Sequence, residues 1–543
     1  MKMRPYQDAA IAGAFNAWEE NDSALIVLPT GLGKTVVFSE IVRRMQPVRS
    51  IIVAHREELI FQAAEKIKRV TGLDGGIEMG DLHADGWFGT PPPYIVSTIQ
   101  TQCSGGDGGG RMTKFLPGDF GLVVIDEAHH ATSPTYRRVI DYYRQNENCK
   151  ILGVTATPDR ADEEALGKVF DAVAFDYQIL DAINQGWLVP VQQQMVTVES
   201  MDFSNIRTTA GDLNQGELAE VMEEEDNLQR VAVPTVEICG ERRAIVFAAT
   251  VKQAERLCEI INRYRPDKAA WLCGKTAKDR RRKILADFKA GIVQFVVNVG
   301  VLTEGFDDSG VEVIVMARPT KSRALYAQMA GRGTRPHDSV ASLLGDCATD
   351  AERCAMIRDS VKPACLIVDF CGNAGRHKLV TSADILGGNI SDEVIEAVAR
   401  QAKASGKPLD MADALAKEQA LADERRRAEA ARRAALKSRA AFMLTDIDPF
   451  NEWDLTPAKE RGWDRARHFT EKQKMVLMQR IGVDADAIPY AQGKQLLDEY
   501  FRRLQGGYAS LKQTRCLKRW GIRAPVRFDE ARRMIDRRAQ SWK

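Results

Sequence analysis

The 543 residues carry 76 Lys and Arg against 75 Asp and Glu, with 44% hydrophobic and 28% charged residues. That length exceeds a single hydrophobic core and predicts two to four domains of an ordinary soluble globular chain. The opening Met1-Lys2-Met3-Arg4-Pro5 lacks a signal-peptide apolar run and no apolar stretch could span a bilayer, while ten cysteines in so long a chain do not suggest a disulfide framework, so the expectation is a cytoplasmic protein without a membrane partner.

Residues 24–28 form an apolar run closed by Pro29, the pattern of a buried parallel strand. Ile51-Ile52-Val53-Ala54, Tyr94-Ile95-Val96-Ser97, Leu122-Val123-Val124-Ile125 and Ile151-Leu152-Gly153-Val154-Thr155 repeat it, with helix-length amphipathic segments between them. Strand alternating with helix predicts a doubly wound α/β lobe over residues 1–190. The alternation resumes at Ala244-Ile245-Val246-Phe247-Ala248, at 293–299 and at 311–316, and Leu366-Ile367-Val368-Asp369-Phe370 closes a second lobe over 241–380. Residues 191–240, less regular, read as the connection between the lobes. The fold class expected is therefore α/β, with two tandem doubly wound parallel-sheet lobes followed by a helical connector (381–460) and a small, basic, mainly helical domain (461–543).

Residues 409–448 hold no Gly or Pro, and the pairs Asp423/Arg427 and Glu429/Arg433 sit four apart. A long exposed helix follows, its alanine stripe too weak for a core, which suits a strut or a protein-docking helix. The segment 461–543 holds 20 Lys and Arg against 9 Asp and Glu, so the rest of the chain is acidic. Such a tail fits a polyanion partner or a solvated basic face. Trp463, Tyr500, Tyr508, Trp520 and Trp542 are interleaved with its cations, either to stack on bases or to form a small core. An internal echo is also present: Thr470-Glu471-Lys472-Gln473 leads to Gly482, and Ser510-Leu511-Lys512-Gln513 leads to Gly521 one residue sooner. Two small helical units, each capped by Ser or Thr and stopped by Gly, are predicted.

Three motifs carry chemistry. In Thr30-Gly31-Leu32-Gly33-Lys34-Thr35, the glycines let backbone N–H groups wrap a phosphate chain at a helix start. Lys34 is placed for the β- and γ-phosphates of ATP and Thr35 for Mg²⁺. Asp126-Glu127 follows a buried strand, where adjacent carboxylates call for a cation. Asp126 would hold Mg²⁺, largely through water, and Glu127 would orient or deprotonate the attacking water. Arg332 and Arg335, three apart among glycines, can reach across a cleft to charge developing on a γ-phosphate. His129 is assigned to coupling between the lobes.

These motifs, in this order, resemble superfamily 2 helicases of the DEAH-containing branch that includes XPB-type and RadD-type DNA helicases, with motor lobes like those of type I restriction enzymes. The resemblance covers residues 4–380 and implies that both lobes are RecA-like. Position 28 of a general P-loop would be Gly and is Leu28 here, but the short Pro-Thr-Gly-x-Gly-Lys-Thr form is the helicase version. In Arg4-Pro5-Tyr6-Gln7, the resemblance implies that Arg4 and Gln7 bind the adenine. It implies strand contacts for His55 and Arg56, for Ser97, Thr98 and Gln100, and for Thr303. Thr155 and Thr157 of Thr155-Ala156-Thr157-Pro158 would link ATP state to the strand. Gly305 and Asp307 would face ATP, and Gln328 would join the arginines at the reacting phosphate. RadD-type enzymes carry a zinc module after the second lobe. This chain has no paired C-x-x-C, and the irregular spacing of Cys347, Cys354, Cys365 and Cys371 favours core cysteines, with a metal site as the alternative.

The expected activity is thus that of an ATP-dependent DNA helicase or translocase using Mg²⁺. The resemblance implies 3′-to-5′ movement on single-stranded or overhang DNA. Two alternatives stand: an RNA-directed helicase, and a DNA-stimulated ATPase switch that recruits proteins without unwinding. Oligomeric state is left open.

Overall fold

The computed structural model describes residues 3–55, 57–84, 91–104, 110–156, 160–209, 211–303, 305–374, 377–388, 390–439, 449–522 and 526–540. Two compact units result. The first comprises residues 1–159, 169–388 and 392–418, and the second 160–168, 389–391 and 419–543.

The first unit contains both α/β lobes. Its first sheet is built from β1 (Ser23–Val27), β2 (Ser50–Ala54), β3 (Gly76–Glu78), β4 (Tyr94–Thr98), β5 (Leu122–Asp126), β6 (Lys150–Thr155) and β7 (Ala172–Asp176). The strand order is β3-β4-β2-β5-β6-β1-β7, all parallel. Strands β1, β2, β4 and β5 are buried along their whole length, which accounts for continuous rather than alternating apolar runs. The order also places the carboxyl end of β6 between those of β1 and β5, where an open parallel sheet forms its ligand crevice.

The second sheet has the order β12-β13-β11-β14-β15-β8-β16. Its strands are β8 (Val191–Asp202), β11 (Ala244–Ala248), β12 (Ala269–Leu272), β13 (Phe295–Asn298), β14 (Val313–Ala317), β15 (Cys365–Asn373) and β16 (Leu409–Asp410), while β9 (Thr208–Thr209) and β10 (Asp212–Leu213) form a separate hairpin. Here the structure differs from the sequence expectation. Strand β8, set aside as inter-lobe connection, runs parallel to β15 from Val191↔Cys365 to Phe370↔Val196 and is part of the second lobe. Its polar run Gln192-Gln193-Gln194 hid it, because Gln193 is fully buried and donates to Asp369. Strand β16, expected inside a helical connector, pairs antiparallel with β8.

The second unit is helical. The predicted long helix spans Met411–Arg439, beginning in the first unit and entering the second at Gln419, and residues 440–448 lie outside those described. Phe450, Trp453, Phe469, Leu477, Ile481, Leu496, Leu497 and Leu511 form its main core, with Tyr500 packed against it, and Ala509, Leu517, Val526 and Ala531 form a second core beside Trp520. Trp463 is buried beneath the Arg461 guanidinium. Trp463, Tyr500 and Trp520 therefore serve packing, the Tyr508 ring meets the Arg502 and Arg527 guanidiniums, and Trp542 lies outside the described residues. No helix among the described residues is long and apolar enough to cross a membrane.

Candidate active site

The phosphate loop runs from β1 into the helix Lys34–Arg44. Gly31 and Gly33 have φ of +90° and +83°, the left-handed region that disfavours a side chain. Space enforces the same choice. A Cβ on Gly33 would lie 2.8 Å from Gln7 Nε2. Gln7 is buried; its Nε2 donates to the Leu32 carbonyl at 3.0 Å and its Oε1 accepts from the Arg4 N–H at 3.0 Å. The Tyr6 hydroxyl donates to the same Leu32 carbonyl at 3.1 Å. The segment expected to read adenine thus braces the phosphate loop from below. Around it, Tyr6 stacks on Tyr177 and meets Trp187 edge-on, with centroids 5.3 and 5.4 Å apart.

Asp126 ends β5 and is buried; its Oδ1 accepts the Glu127 N–H at 3.0 Å. Glu127 adopts φ +49°, a rare conformation for a non-glycine residue that turns the chain sharply at the strand end. Its Oε1 lies 3.4 Å from Lys34 Nζ and its Oε2 3.5 Å from His129 Nδ1. Burial alone would push this carboxyl up. The charges of Lys34, His129 and Arg332 outweigh burial and hold it below the usual carboxylate range. Among the described residues Oε2 is buried with no hydrogen-bond partner. A buried carboxylate oxygen of this kind, next in the chain to the Asp126 carboxylate, is a hard-oxygen donor that suits Mg²⁺. His129 Nδ1 also meets Thr155 Oγ1 at 3.2 Å, so two of the three predicted coupling residues touch; Thr157 lies outside the described residues.

The second lobe supplies the other wall. Arg332 donates from Nη1 to the Phe306 carbonyl and from Nη2 to the Thr303 carbonyl, both at 2.6 Å. Arg335 pairs with Asp307, and the place of a Cβ on Gly31 lies 2.9 Å from Arg335 Cγ. A Cβ on Gly331 would lie 2.8 Å from Thr30 Cβ, and one on Gly333 would lie 2.2 Å from Cys365 Sγ. The glycines of the arginine motif are thus required by close approach to the phosphate loop on one side and to β15 on the other. Gln328 is buried on the helix Arg323–Ala330 of this motif.

The strand-contact residues are placed unequally. Gln100 is exposed at the start of the helix Ile99–Cys103, and Arg56 lies outside the described residues. His55 is half-buried, its ring 4.8 Å from that of His130. Ser97 and Thr98 have partners inside the lobe. Ser97 is fully buried, its hydroxyl donating to the Glu78 carbonyl at 2.8 Å and accepting from Gln102 at 2.8 Å. Thr98 caps the Ile99–Cys103 helix by accepting the Thr101 N–H at 3.1 Å. Both hydroxyls shape the loop at the end of β4. Thr303 is buried, and Gly305 accepts Gln62 Nε2 of the first lobe at 3.0 Å. The four clustered cysteines bond separate backbone carbonyls, of Leu343, Asn184, Leu366 and Val196.

Two residues without a sequence signal also shape the site. Lys362 is 1% exposed and donates from Nζ to the Arg335 carbonyl at 2.7 Å and the Ser309 carbonyl at 3.0 Å. Arg353 lies 4.3 Å over the Trp187 ring and donates from Nε to the Gln185 carbonyl at 2.7 Å, so the second lobe grips the turn by which the chain leaves the first.

Two parallel-sheet lobes facing each other across a phosphate loop, a carboxylate pair and an arginine motif define a helicase-type motor core. Residues 1–160 match the family of the type III restriction enzyme res subunit and residues 226–337 the helicase conserved C-terminal domain. These two matches are consistent with a superfamily 2 helicase of the type that includes XPB and restriction-enzyme motors. It is 28% identical over 412 residues to IRC3 of Saccharomyces cerevisiae, named as an ATP-dependent helicase, covering 72% of this chain and 54% of that protein. It is 25% identical over 378 residues to the DNA 3′-5′ translocase XPB2 of Sulfurisphaera tokodaii, covering 63% of this chain and 81% of that one. The match thus spans about half the length of IRC3. Among solved structures, a fragment of an HsdR subunit of a type I restriction enzyme from Vibrio vulnificus has the same fold, with a TM-score of 0.50 and 20% identity over 68% of this chain and 64% of that one.

Proposed function

We propose that this protein is a DNA-stimulated ATPase that moves along or unwinds DNA, in the 3′-to-5′ direction. The observation that carries the reading is the facing of Thr30 and Gly31 by Gly331 and Arg335 across the two lobes, with Lys34 and Glu127 beside them. Lys34 and the loop N–H groups bind the β- and γ-phosphates, and Glu127 accepts a proton from the attacking water at Oε2. Magnesium, held through Thr35 and Asp126, would neutralise phosphate charge. Arg332 and Arg335 stabilise the charge of the transition state from the second lobe, so hydrolysis requires closed lobes. His129 reports the state of Glu127 to Thr155 through their shared contact. DNA rather than RNA is favoured because XPB2, matched over 81% of its length, is by name a DNA translocase.

The test is steady-state ATP hydrolysis without nucleic acid, with single-stranded DNA, with 3′- and 5′-overhang duplexes and with matched RNAs. Stimulation by DNA, greatest with a 3′ overhang, is expected. Equal hydrolysis in every tube would overturn the reading, and stimulation by RNA alone would transfer it to RNA.

A further inference from the structure

The echo in the second unit is a structural duplication. In the first copy, Thr470 caps a helix by accepting the Gln473 N–H at 3.3 Å while Gln473 Oε1 accepts the Thr470 N–H at 2.9 Å. Ser510 and Gln513 repeat the reciprocal pair at 3.4 and 2.9 Å. Both helices stop at a left-handed glycine, Gly482 at φ +83° and Gly521 at φ +81°. Beyond each, a β-branched residue closes onto a buried leucine: Val483 N–H onto the Leu477 carbonyl and Ile522 N–H onto the Leu517 carbonyl, both at 3.0 Å. The first copy's extra residue is taken up by a π turn at Leu477–Ile481. A second helix follows each time, Tyr490–Gln505 and Phe528–Gln540.

The copies share a backbone plan but not a surface. Residues 470–509 carry six Lys and Arg against five Asp and Glu, whereas residues 510–543 carry eleven against three. The first copy pairs three of its six cations, Lys474 with Asp486 at 3.2 Å and Arg502 and Arg503 with Glu499 at 2.7 Å, and leaves Lys472, Arg480 and Lys494 exposed. It exposes Met475, Met478, Phe501 and Leu504. In the second copy Lys512, Arg519, Arg532, Arg533, Arg537 and Arg538 are exposed, with Arg532 3.9 Å from Asp536 and Arg538 over the Trp520 ring. Two further cations of that copy, Arg515 and Lys518, face Glu452 and Asp454 and serve the fold. Since one plan is nearly neutral in one copy and strongly basic in the other, the fold does not require the charge.

We infer that the second copy is a nucleic-acid contact separate from the motor lobes, in which the exposed arginines of Phe528–Gln540, with Lys512, follow the phosphate backbone without reading sequence. The choice of nucleic acid among polyanions rests on the motor reading above.

The test uses the full chain, without nucleotide, and fluorescence anisotropy on single-stranded and duplex DNA between 50 and 200 mM salt. Neutralising Lys512→Gln, Arg533→Gln and Arg537→Gln together lowers affinity at least about tenfold and flattens the slope of log affinity against log salt by about 2. The matched triple in the first copy, Lys472→Gln, Arg480→Gln and Lys494→Gln, changes affinity less than about twofold. Arg533→Lys with Arg537→Lys keeps affinity, since it keeps the charge. Equal losses in both triples, or no loss in the second-copy triple, would overturn the inference. So would loss of binding to phosphatidylserine vesicles with DNA affinity unchanged. If DNA fails to stimulate hydrolysis while the second-copy triple still weakens DNA binding, the motor reading falls and the contact stands.

Discussion

Lys362 gives the sharpest test of how the arginine motif is held. Its Nζ is buried and donates to the carbonyls of Arg335 and Ser309. A neutral amine has two hydrogens, enough for both bonds, so protonation adds a charge that the site does not need. Burial first, and then the nearby Arg335 charge, lower its pKa to about 8; Cys365, Asp308 and Glu312 oppose the shift. An unfolded lysine titrates near 10.4. Between pH 8 and 10.4 the unfolded chain therefore binds more protons than the folded one, and stability rises with pH through that window. About 2.5 pKa units correspond to about 3 kcal/mol, a cost fully present below pH 8 and gone above the unfolded value. Lys362→Met removes the charge but leaves two buried carbonyls unpaired, at about 1–3 kcal/mol each, so near pH 7 the two effects offset each other in large part. At pH 10.5 only the loss remains. The stability difference between wild type and Lys362→Met should thus shift by about 3 kcal/mol in favour of wild type from pH 7.5 to 10.5. Urea unfolding of both proteins across that range measures it, and the subtraction cancels every other titrating group. A difference flat within about 1 kcal/mol would refute the reasoning.

Glu127→Gln should lower the hydrolysis rate by about 10² to 10⁴ while ATP binding, measured with a fluorescent analogue, is retained; Lys34→Ala should lose both. Hydrolysis within tenfold of wild type in Glu127→Gln would remove that residue from the chemistry. Gly333→Ala places a Cβ 2.2 Å from Cys365 Sγ and should cost about 1–3 kcal/mol by overpacking. Combining it with Cys365→Ala should recover part of that cost, and additive losses in thermal unfolding would show that the sulfur is not the obstacle. Arg353→Ala removes a buried charge-assisted bond and a cation–π contact, each about 2 kcal/mol. Because Arg353 grips the turn at Gln185 and Trp187 and not the phosphates, KM for ATP should rise more than kcat falls. The reverse pattern would place Arg353 in the chemistry.

The lobes were legible because fully buried parallel strands are continuous apolar runs, and five of them in the first lobe stand where those runs predict. Strand β8 was not, because burying Gln193 on Asp369 reverses the usual link between polarity and exposure. The phosphate loop, the carboxylates and the arginines were visible as motifs since each spacing is dictated locally by a turn or a helix. What holds them was not visible. Lys362 lies 27 residues beyond Arg335, and Arg353 is 168 residues from Gln185. Such contacts are made by the fold and leave no local period. For Ser97 and Thr98 the motif gives residue types, while the fold decides that one hydroxyl supports a strand end and the other caps a helix. The duplication in the second unit was legible in outline, and the extra residue of its first copy found its place only as a π turn.

The arginines also suggest how strand and nucleotide are linked on the proposed reading. Arg332 directs both terminal nitrogens at carbonyls of the segment 303–306, and Arg335 pairs with Asp307 of the same stretch. A guanidinium has five donors in a rigid plane, so fixing two fixes the direction of the rest. The aim of both arginines is therefore set by Thr303, Phe306 and Asp307, in the stretch that the helicase resemblance assigns to both ATP and strand. Displacing a group at a reacting phosphate by about 1 Å can cost on the order of a hundredfold in rate. A strand that settles this stretch would bring the arginines to bear on the γ-phosphate, and an unsettled stretch would misaim them together. Stimulation of hydrolysis by DNA then needs no further signalling path. The second lobe's own backbone carries it.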